Sequence, residues 1–377
     1  MPTRVLWLTK GLGLGGAERL LTLMAGKLDG DDLEVDVAYL LPWKDAFVGD
    51  LEAAGVRTVC LGARRTTELG WPRRLRTLLR ERDYDVIHTH SPVPGAAARL
   101  LAGDGVVLVH TEHNVWDRYR WPTYAINAVT YGRNAAVLAV SDGVADSIRR
   151  PRWARFGTAP EVETLLHGVE PDLAPRGAQA RVSAREALGL DEHRPVIGNV
   201  ANHTPKKDHA GLLAALERVR ARVPEVLLLL IGTGPLEEEL RRVVQQGGLT
   251  DHVRFLGSRD DVPELLPALD VFVLSSRFEG LPISMLEAMA AEVACVVTRV
   301  GGIPEAITDG EHGRLVAPGD PEQLADALVE VLEDDALRER LAAGGRERVA
   351  EAFSIDRAVQ RTRSLYHALL HDEGDHG

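Results

Sequence analysis

The sequence predicts an α/β protein made of two doubly wound, Rossmann-like domains facing across a cleft. Short aliphatic runs alternate with helical patterns along all 377 residues, a length that favours two domains over one core. The alternation breaks once, at "HGVEPDLAPRGAQARVSAR", where Gly, Pro and Arg replace any apolar period. In both halves the strands lead into glycine-containing loops, which is where ligands of such sheets bind.

In the first half the expected strands are Val5–Leu8, Val35–Leu40, Val56–Leu61, Val86–Thr89, Val106–His110, Ala136–Val140 and Glu163–Leu166. Helix-period stretches such as Ala17–Leu28, Pro72–Arg82 and Ala96–Leu101 lie between them. Continuous apolar strands with helical crossovers imply a parallel sheet covered on both faces. After a linker at about 168–183, the strands Val196–Val200, Val226–Ile231, Val253–Leu256, Val271–Leu274, Cys295–Thr298 and Arg314–Val316 repeat the pattern. A last helix, Ser354–Leu370, starts from a serine suited to N-capping, and the tail after it is expected to fray. The domains read as 1–172 and 183–351, with 354–371 as the closing helix.

With 44 basic and 56 acidic residues the net charge is −12, which argues against nucleic-acid binding. Two cysteines without metal-like spacing, Cys60 and Cys295, suggest a reducing, cytoplasmic setting. No leader signal is evident at the N-terminus, and the longest apolar runs are strand-sized. The expectation is a soluble protein, at most peripheral at the inner face of a membrane.

Near the N-terminus, "KGLGLGGAERLL" holds G-x-G-x-x-G at Gly11, Gly13 and Gly16, between a strand and a helix. That context suits a pyrophosphate, and by itself suggests a nicotinamide cofactor. A nicotinamide site also needs an acidic residue at the end of the second strand. Asp36 stands near the start of that strand, and its end is aliphatic.

The most informative segment is "SSRFEGLPISMLEAMA", residues 275 to 290. Pro282 suits the first turn of a helix, Gly280 permits close backbone approach, and the helix start attracts anions. Glu279 in the loop can accept hydrogen bonds from ligand hydroxyls. Glu287, with seven residues between the two, can accept a vicinal diol such as ribose. A solvated pair of glutamates is the plainer reading. Against it, Glu287 lies among Ile283, Met285, Leu286, Ala288 and Met289, where an unpaired charge is costly.

Glu279 to Glu287 resembles the E-x7-E pattern of retaining glycosyltransferases of the GT-B fold, specifically the GT4 family. "GLGLGGAE", "DVIHTH", "HTEH", "AVSDGV", "HGVE", "IGTGP", "VRFLGSRDDVPELL", "VGGIPEAI" and "HGRLVAPGD" resemble further family blocks in family order, over nearly the whole chain.

The resemblance implies a nucleoside-diphosphate-sugar donor and a hydroxyl acceptor; no metal-binding motif is evident in the residues, so no metal and no separate cofactor are expected. It places Glu279 against the donor sugar, with sugar and phosphate held at Gly280, Leu281 and Pro282. Proline has no N–H, so donation passes to Leu281 and Ile283. Glu287 takes the ribose diol, His113 a sugar hydroxyl, and Gly15-Gly16 the diphosphate. A family Arg–Lys pair five apart falls on Asn202 and Lys207, so an amide stands where the family has a cation, and Lys206 or another arginine compensates. Where family members have Gly-x-Pro, this chain has Glu292, Val293 and Ala294, a change expected to alter stability more than chemistry.

Other histidines at similar loops, His88, His90, His110 and His167, are candidates to line the cleft. Asp29/Asp31 and Asp83/Asp85 match a metal-binding DxD pattern but read as solvated turns. Between residues 61 and 160, 15 basic residues face 9 acidic ones, a local +6. Arg73, Arg76 and Arg80 share one helix face opposite Leu75, Leu78 and Leu79. Arg149, Arg150, Arg152 and Arg155 cluster beside Trp153. Such patches suit an anionic membrane surface or a phosphorylated acceptor, and equally a solvated face. A same-fold nucleotide-sugar epimerase or binding protein, and an NAD-dependent oxidoreductase, are the competing functions.

Overall fold

The computed structural model describes residues 2–68, 70–154, 159–166 and 168–374, with side chains only to 371 in the last helix. Arg155, His167 and the end of the tail lie outside the described residues. The chain divides into two compact units, Met1–His167 with Ile355–Gly377, and Gly168–Ser354.

In the first unit, β1 (Thr3–Thr9), β2 (Leu33–Tyr39), β3 (Arg57–Cys60), β4 (Val86–Thr89), β5 (Val107–Glu112), β6 (Ala136–Ala139) and β7 (Glu161–Thr164) form one sheet. Its order is β3-β2-β1-β4-β5-β6-β7 and every pairing is parallel. Val5, Leu6, Trp7 and Leu8 are fully buried, as a strand covered on both faces requires. The chain order reverses between β1 and β4, which makes that edge the switch point of the sheet.

The closing helix, Ile355–Gly374, packs against the same unit. Tyr366 Oη accepts from Trp7 Nε1 at 2.9 Å and meets His88 Nδ1 at 2.5 Å; His88 Nε2 lies 2.7 Å from Thr111 Oγ1. These groups are buried, so each polar atom needs such a partner.

In the second unit, β8 (Val196–Val200), β9 (Leu227–Ile231), β10 (Val253–Gly257), β11 (Val271–Leu274), β12 (Ala294–Thr298) and β13 (Arg314–Val316) form a parallel sheet ordered β10-β9-β8-β11-β12-β13. The switch point is the β8–β11 pair. One face packs under the helices His209–Arg222, Pro321–Glu333 and Asp335–Ala352, through residues such as Leu212, Leu216, Leu328 and Leu341.

The expected linker is shorter than predicted, because a helix, Ala178–Ala187, occupies its second half. Two arginines that made this stretch look polar are anchored. Arg181 and Arg185 reach Asp270 at 2.6 and 2.9 Å, and Arg185 also donates to the carbonyls of Asp191, Glu192 and Arg194. Asp270 itself accepts the Val196 N–H at 2.7 Å, tying the helix to the entry of β8.

Candidate functional site

Two loops leave the carboxyl ends of neighbouring strands at the switch point of the second sheet. One runs from β8 through residues 201–208 into the helix His209–Arg222; the other runs from β11 through 275–282 into the helix Ile283–Ala290. They are laced together by hydrogen bonds. The Arg277 N–H donates to Lys206 O at 2.8 Å, and Ser275 Oγ donates to the carbonyls of Lys207 and Asp208. Thr298 Oγ1, at the end of β12, donates to Ser276 O at 2.6 Å.

Within this lacing Lys207 Nζ meets Glu279 Oε1 at 2.5 Å, and Ser276 Oγ donates to the same oxygen at 2.6 Å. The Lys207 and Glu279 side chains keep 12% and 6% exposure. Burial pushes the Lys207 ammonium below the usual lysine range, and the Glu279 charge opposes that shift. The loop's path is forced by close backbone approaches. Gly301 adopts φ +54°, and a methyl there would overlap the Glu279 carbonyl; Gly302 N donates to Gly280 O at 2.6 Å. Gly232 and Gly234, after β9, likewise leave room for the backbones of Ala201 and His203.

Pro282 is the N-cap of the helix Ile283–Ala290, one position earlier than the first-turn place expected of it. Its carbonyl accepts from Met285 and Leu286, which an N-cap residue does and a lost N–H does not hinder. Leu281, Pro282 and Ile283 are buried, and Glu287 is buried one turn into the helix at 6% exposure. Asn202 and Lys206 are exposed on the β8 loop.

Sequence reasoning missed several residues here. Asp208 caps the helix His209–Arg222 and grips Arg277 at 3.0 Å, holding that guanidinium beside the lysine loop. His203 and His209 are buried with ring centroids 4.8 Å apart, and His209 Nε2 meets Asn199 Oδ1 at 3.1 Å. Burial drives both imidazoles toward the neutral form, His209 down to about 3. A signal existed: two histidines in "ANHTPKKDH" bracket the lysines.

The first unit has its own cluster at the end of its sheet. The rings of Trp7, His88 and His90 cluster with centroids 4.3 to 5.4 Å apart, His88 stacked on His90 and edge-on to Trp7, and His113 joins at 5.8 Å from His90. Burial holds His113 down to about 4, so it is a neutral imidazole at pH 7. His110 lies with Glu112 and Tyr131. Glu112 accepts from Trp116 Nε1 at 2.8 Å and from Tyr119, which fixes the turn bearing His113.

Gly15 is the N-cap of the helix Gly16–Leu28, with its backbone extended and no side-chain cap. The Glu18 carboxylate folds back over Gly15, where a methyl would collide with it. Gly11 is packed against the Lys44 side chain, and Leu12 N donates to Lys44 O at 2.7 Å. The first glycines of G-x-G-x-x-G are thus spent on loop packing.

Asp36 is not a ribose ligand. It is buried, accepts from Tyr84 Oη at 2.6 Å, and pairs with Arg57 and Arg82 at 3.3 Å. That removes the acidic residue a nicotinamide site would need. Asp29 and Asp85 accept the backbone N–H groups of Val35 and Arg4, so each DxD pattern spends a carboxylate on a strand entry.

Known proteins agree with this architecture. Residues 181–348 match the family described as Glycosyl transferases group 1, and residues 14–173 match Glycosyltransferase Family 4. The chain is 31% identical over 362 residues to the GDP-mannose-dependent alpha-(1-6)-phosphatidylinositol monomannoside mannosyltransferase of Mycobacterium tuberculosis, covering 91% of this chain and 92% of that one. It is 27% identical to the N-acetyl-alpha-D-glucosaminyl L-malate synthase of Bacillus anthracis, over 77% of this chain and 76% of that one. Anabaena HepE, solved with UDP-glucose, shares the fold at TM-score 0.85 and 22% identity, covering 97% of this chain and 99% of that one. Fold and sequence define a glycosyltransferase of the GT-B type. The chain belongs to the GT4 family of these enzymes.

Proposed function

We propose that this protein is a retaining, metal-independent glycosyltransferase that moves a sugar from a nucleoside-diphosphate sugar to a hydroxyl acceptor. One observation carries the reading: the ammonium of Lys207 is held against Glu279 at the β8–β11 switch point, beside the start of the helix Ile283–Ala290. A buried cation and helix-start amides suit a diphosphate, and carboxylates suit hydroxyls. The relatives add weight: one is named for a GDP-mannose donor, and HepE was solved with UDP-glucose.

In this reading the amides of Gly280, Leu281 and Ile283 and the Lys207 ammonium face the diphosphate, and Glu287 binds the ribose diol. Asn202 supplies an amide in place of the family cation. Lys206 and Arg277, which Asp208 orients, supply the missing charge. His113 offers a sugar hydroxyl an uncharged partner, and the amides at Gly15 and Gly16 suit a phosphate.

Glu279 acts as an electrostatic stabiliser. Its paired state with Lys207 and Ser276 suits that role better than a nucleophile's. The C1–phosphate bond breaks as the acceptor oxygen bonds to C1 on the same face, and the leaving phosphate takes the acceptor proton. The protein contributes position and charge. Metal independence is supported by Asp29 and Asp85, whose carboxylates bind backbone N–H groups.

Thermal-shift titration with UDP-, GDP- and ADP-sugars tests the site. Stabilisation by at least one of them, lost in Glu287→Ala and retained in part with low turnover in Glu279→Ala, is the expected result. A shift with NAD and none with any sugar nucleotide would overturn the reading.

A further inference from the structure

The helix Trp121–Thr130 in the first unit, "WPTYAINAVT", contains no charged residue. Asn127, Ala128 and Thr130 are buried, and Asn127 and Thr130 accept from the buried Arg99. The opposite face is apolar and open: Trp121 is 74% exposed, Ile126 39% and Val129 41%. Residues 122, 126 and 129 lie within one turn-to-turn stripe at helical spacing. A short helix packed beside it, Arg152–Ala154, adds Trp153 at 53% exposure. Tyr124 Oη donates to Arg149 O at 3.0 Å, fixing the arginine-rich segment to this helix.

Positive charge predominates around the apolar face. From residue 116 to 154 there are six arginines and three aspartates, a net +3 in a chain of −12. The guanidiniums of Arg120, Arg149 and Arg152 have no carboxylate partner among the described residues. A solvated surface helix would carry charges on its open face, and a core helix would cover its tryptophan. An uncharged, tryptophan-bearing face rimmed by unpaired arginines matches the chemistry of an anionic lipid surface: the indoles sit at headgroup depth and the guanidiniums meet lipid phosphates. At 10 residues the helix is far too short to span a bilayer, so a membrane would meet it along its side.

We propose that the face formed by Trp121, Ile126, Val129 and Trp153, with Arg120, Arg149 and Arg152, docks this protein on an anionic membrane surface. This goes beyond the transfer reaction and does not depend on it.

Co-sedimentation of the full chain with phosphatidylcholine vesicles, with and without roughly one third phosphatidylglycerol, tests the proposal. Binding is expected on the anionic vesicles and is expected to weaken as salt rises. Trp121→Ala with Ile126→Ser should reduce binding roughly tenfold, and Arg120→Glu with Arg149→Glu should erase the preference for anionic lipid. If the first double variant misfolds, Val129→Ser alone reads the same face, checked by circular dichroism. No vesicle binding by the wild-type chain, or equal binding by the variants, would overturn the proposal. So would sedimentation velocity showing that this face holds two copies of the chain together without lipid.

Discussion

Lys207 Nζ lies 2.5 Å from Glu279 Oε1, joining two loops whose residues are 72 positions apart. The pair is nearly dry, so each charge depends on the other for compensation. Lys207→Met removes the cation and leaves Glu279 buried with Ser276 alone. Breaking a buried pair from one side costs about 3–5 kcal/mol. Urea unfolding should show a loss of that order, and donor turnover should fall by about 100-fold or more. Unchanged stability and turnover would remove the pair from both roles.

The same lysine sets a pH limit. Burial lowers its pKa, so its ammonium deprotonates below the usual lysine value near 10.5. Donor affinity should therefore fall on the alkaline side before that value is reached. Lys207→Arg keeps its charge throughout and should flatten this limb. Titrating donor KM from pH 7 to 10 with both proteins checks the sign; a limb that survives in the arginine variant belongs to another group.

Acid should destabilise the fold well above carboxylate pH. Burial holds His113 down to about 4 and His209 down to about 3, while an unfolded chain binds protons on histidine near 6.5. The unfolded state thus takes up more protons as pH falls through about 6.5, and stability drops until each folded-state value is passed. The slope is up to about 1.4 kcal/mol per pH unit for each such histidine. Thermal melts at pH 7 and pH 5 should differ by several degrees, with the lower pH less stable; equal melting temperatures would show the rings already protonated in the fold.

Gly301 and Gly319 both hold positive φ, +54° and +75°, so alanine strains both. At Gly319 the added methyl meets open space, whereas at Gly301 it overlaps the Glu279 carbonyl. Gly301→Ala should therefore cost more than Gly319→Ala in melting temperature and should also depress kcat/KM. Equal effects on both readouts would mean that backbone strain alone matters and the Glu279 loop is free to shift.

Glu292 shows what the missing Gly-x-Pro does. It sits at φ +61° just after the helix Ile283–Ala290, a conformation that glycine adopts without strain. Glu292→Gly should stabilise the protein by about 1 kcal/mol with activity unchanged. Destabilisation in denaturant melts would show that the glutamate side chain makes up for its backbone.

Much of this architecture is legible in the sequence because parallel strands buried on both faces read as unbroken aliphatic runs. Val196–Val200, Val271–Leu274 and Arg314–Val316 were predicted to the residue. The strand order was not legible, since nothing local distinguishes the β8–β11 pairing from any other. The helix Ala178–Ala187 was hidden for a similar reason: the Asp270 that neutralises Arg181 and Arg185 lies about 90 residues away in sequence. At the candidate site the glutamates and lysine stood out by type and position. Their contact did not, and neither did Ser276, Asp208 or Arg277, whose parts depend on how two loops meet. Glu112 left a trace, a charge at the end of the buried strand "VLVHTE".

The most direct test of the central claim is ¹H NMR of the products formed from an α-linked sugar nucleotide, chosen from the UDP-, GDP- and ADP-sugar panel, with a hydroxyl acceptor. The account predicts release of the nucleoside diphosphate and an α-configured product from the wild-type chain, with both lost in Glu279→Ala. A β-configured product, or full turnover by Glu279→Ala, would contradict it.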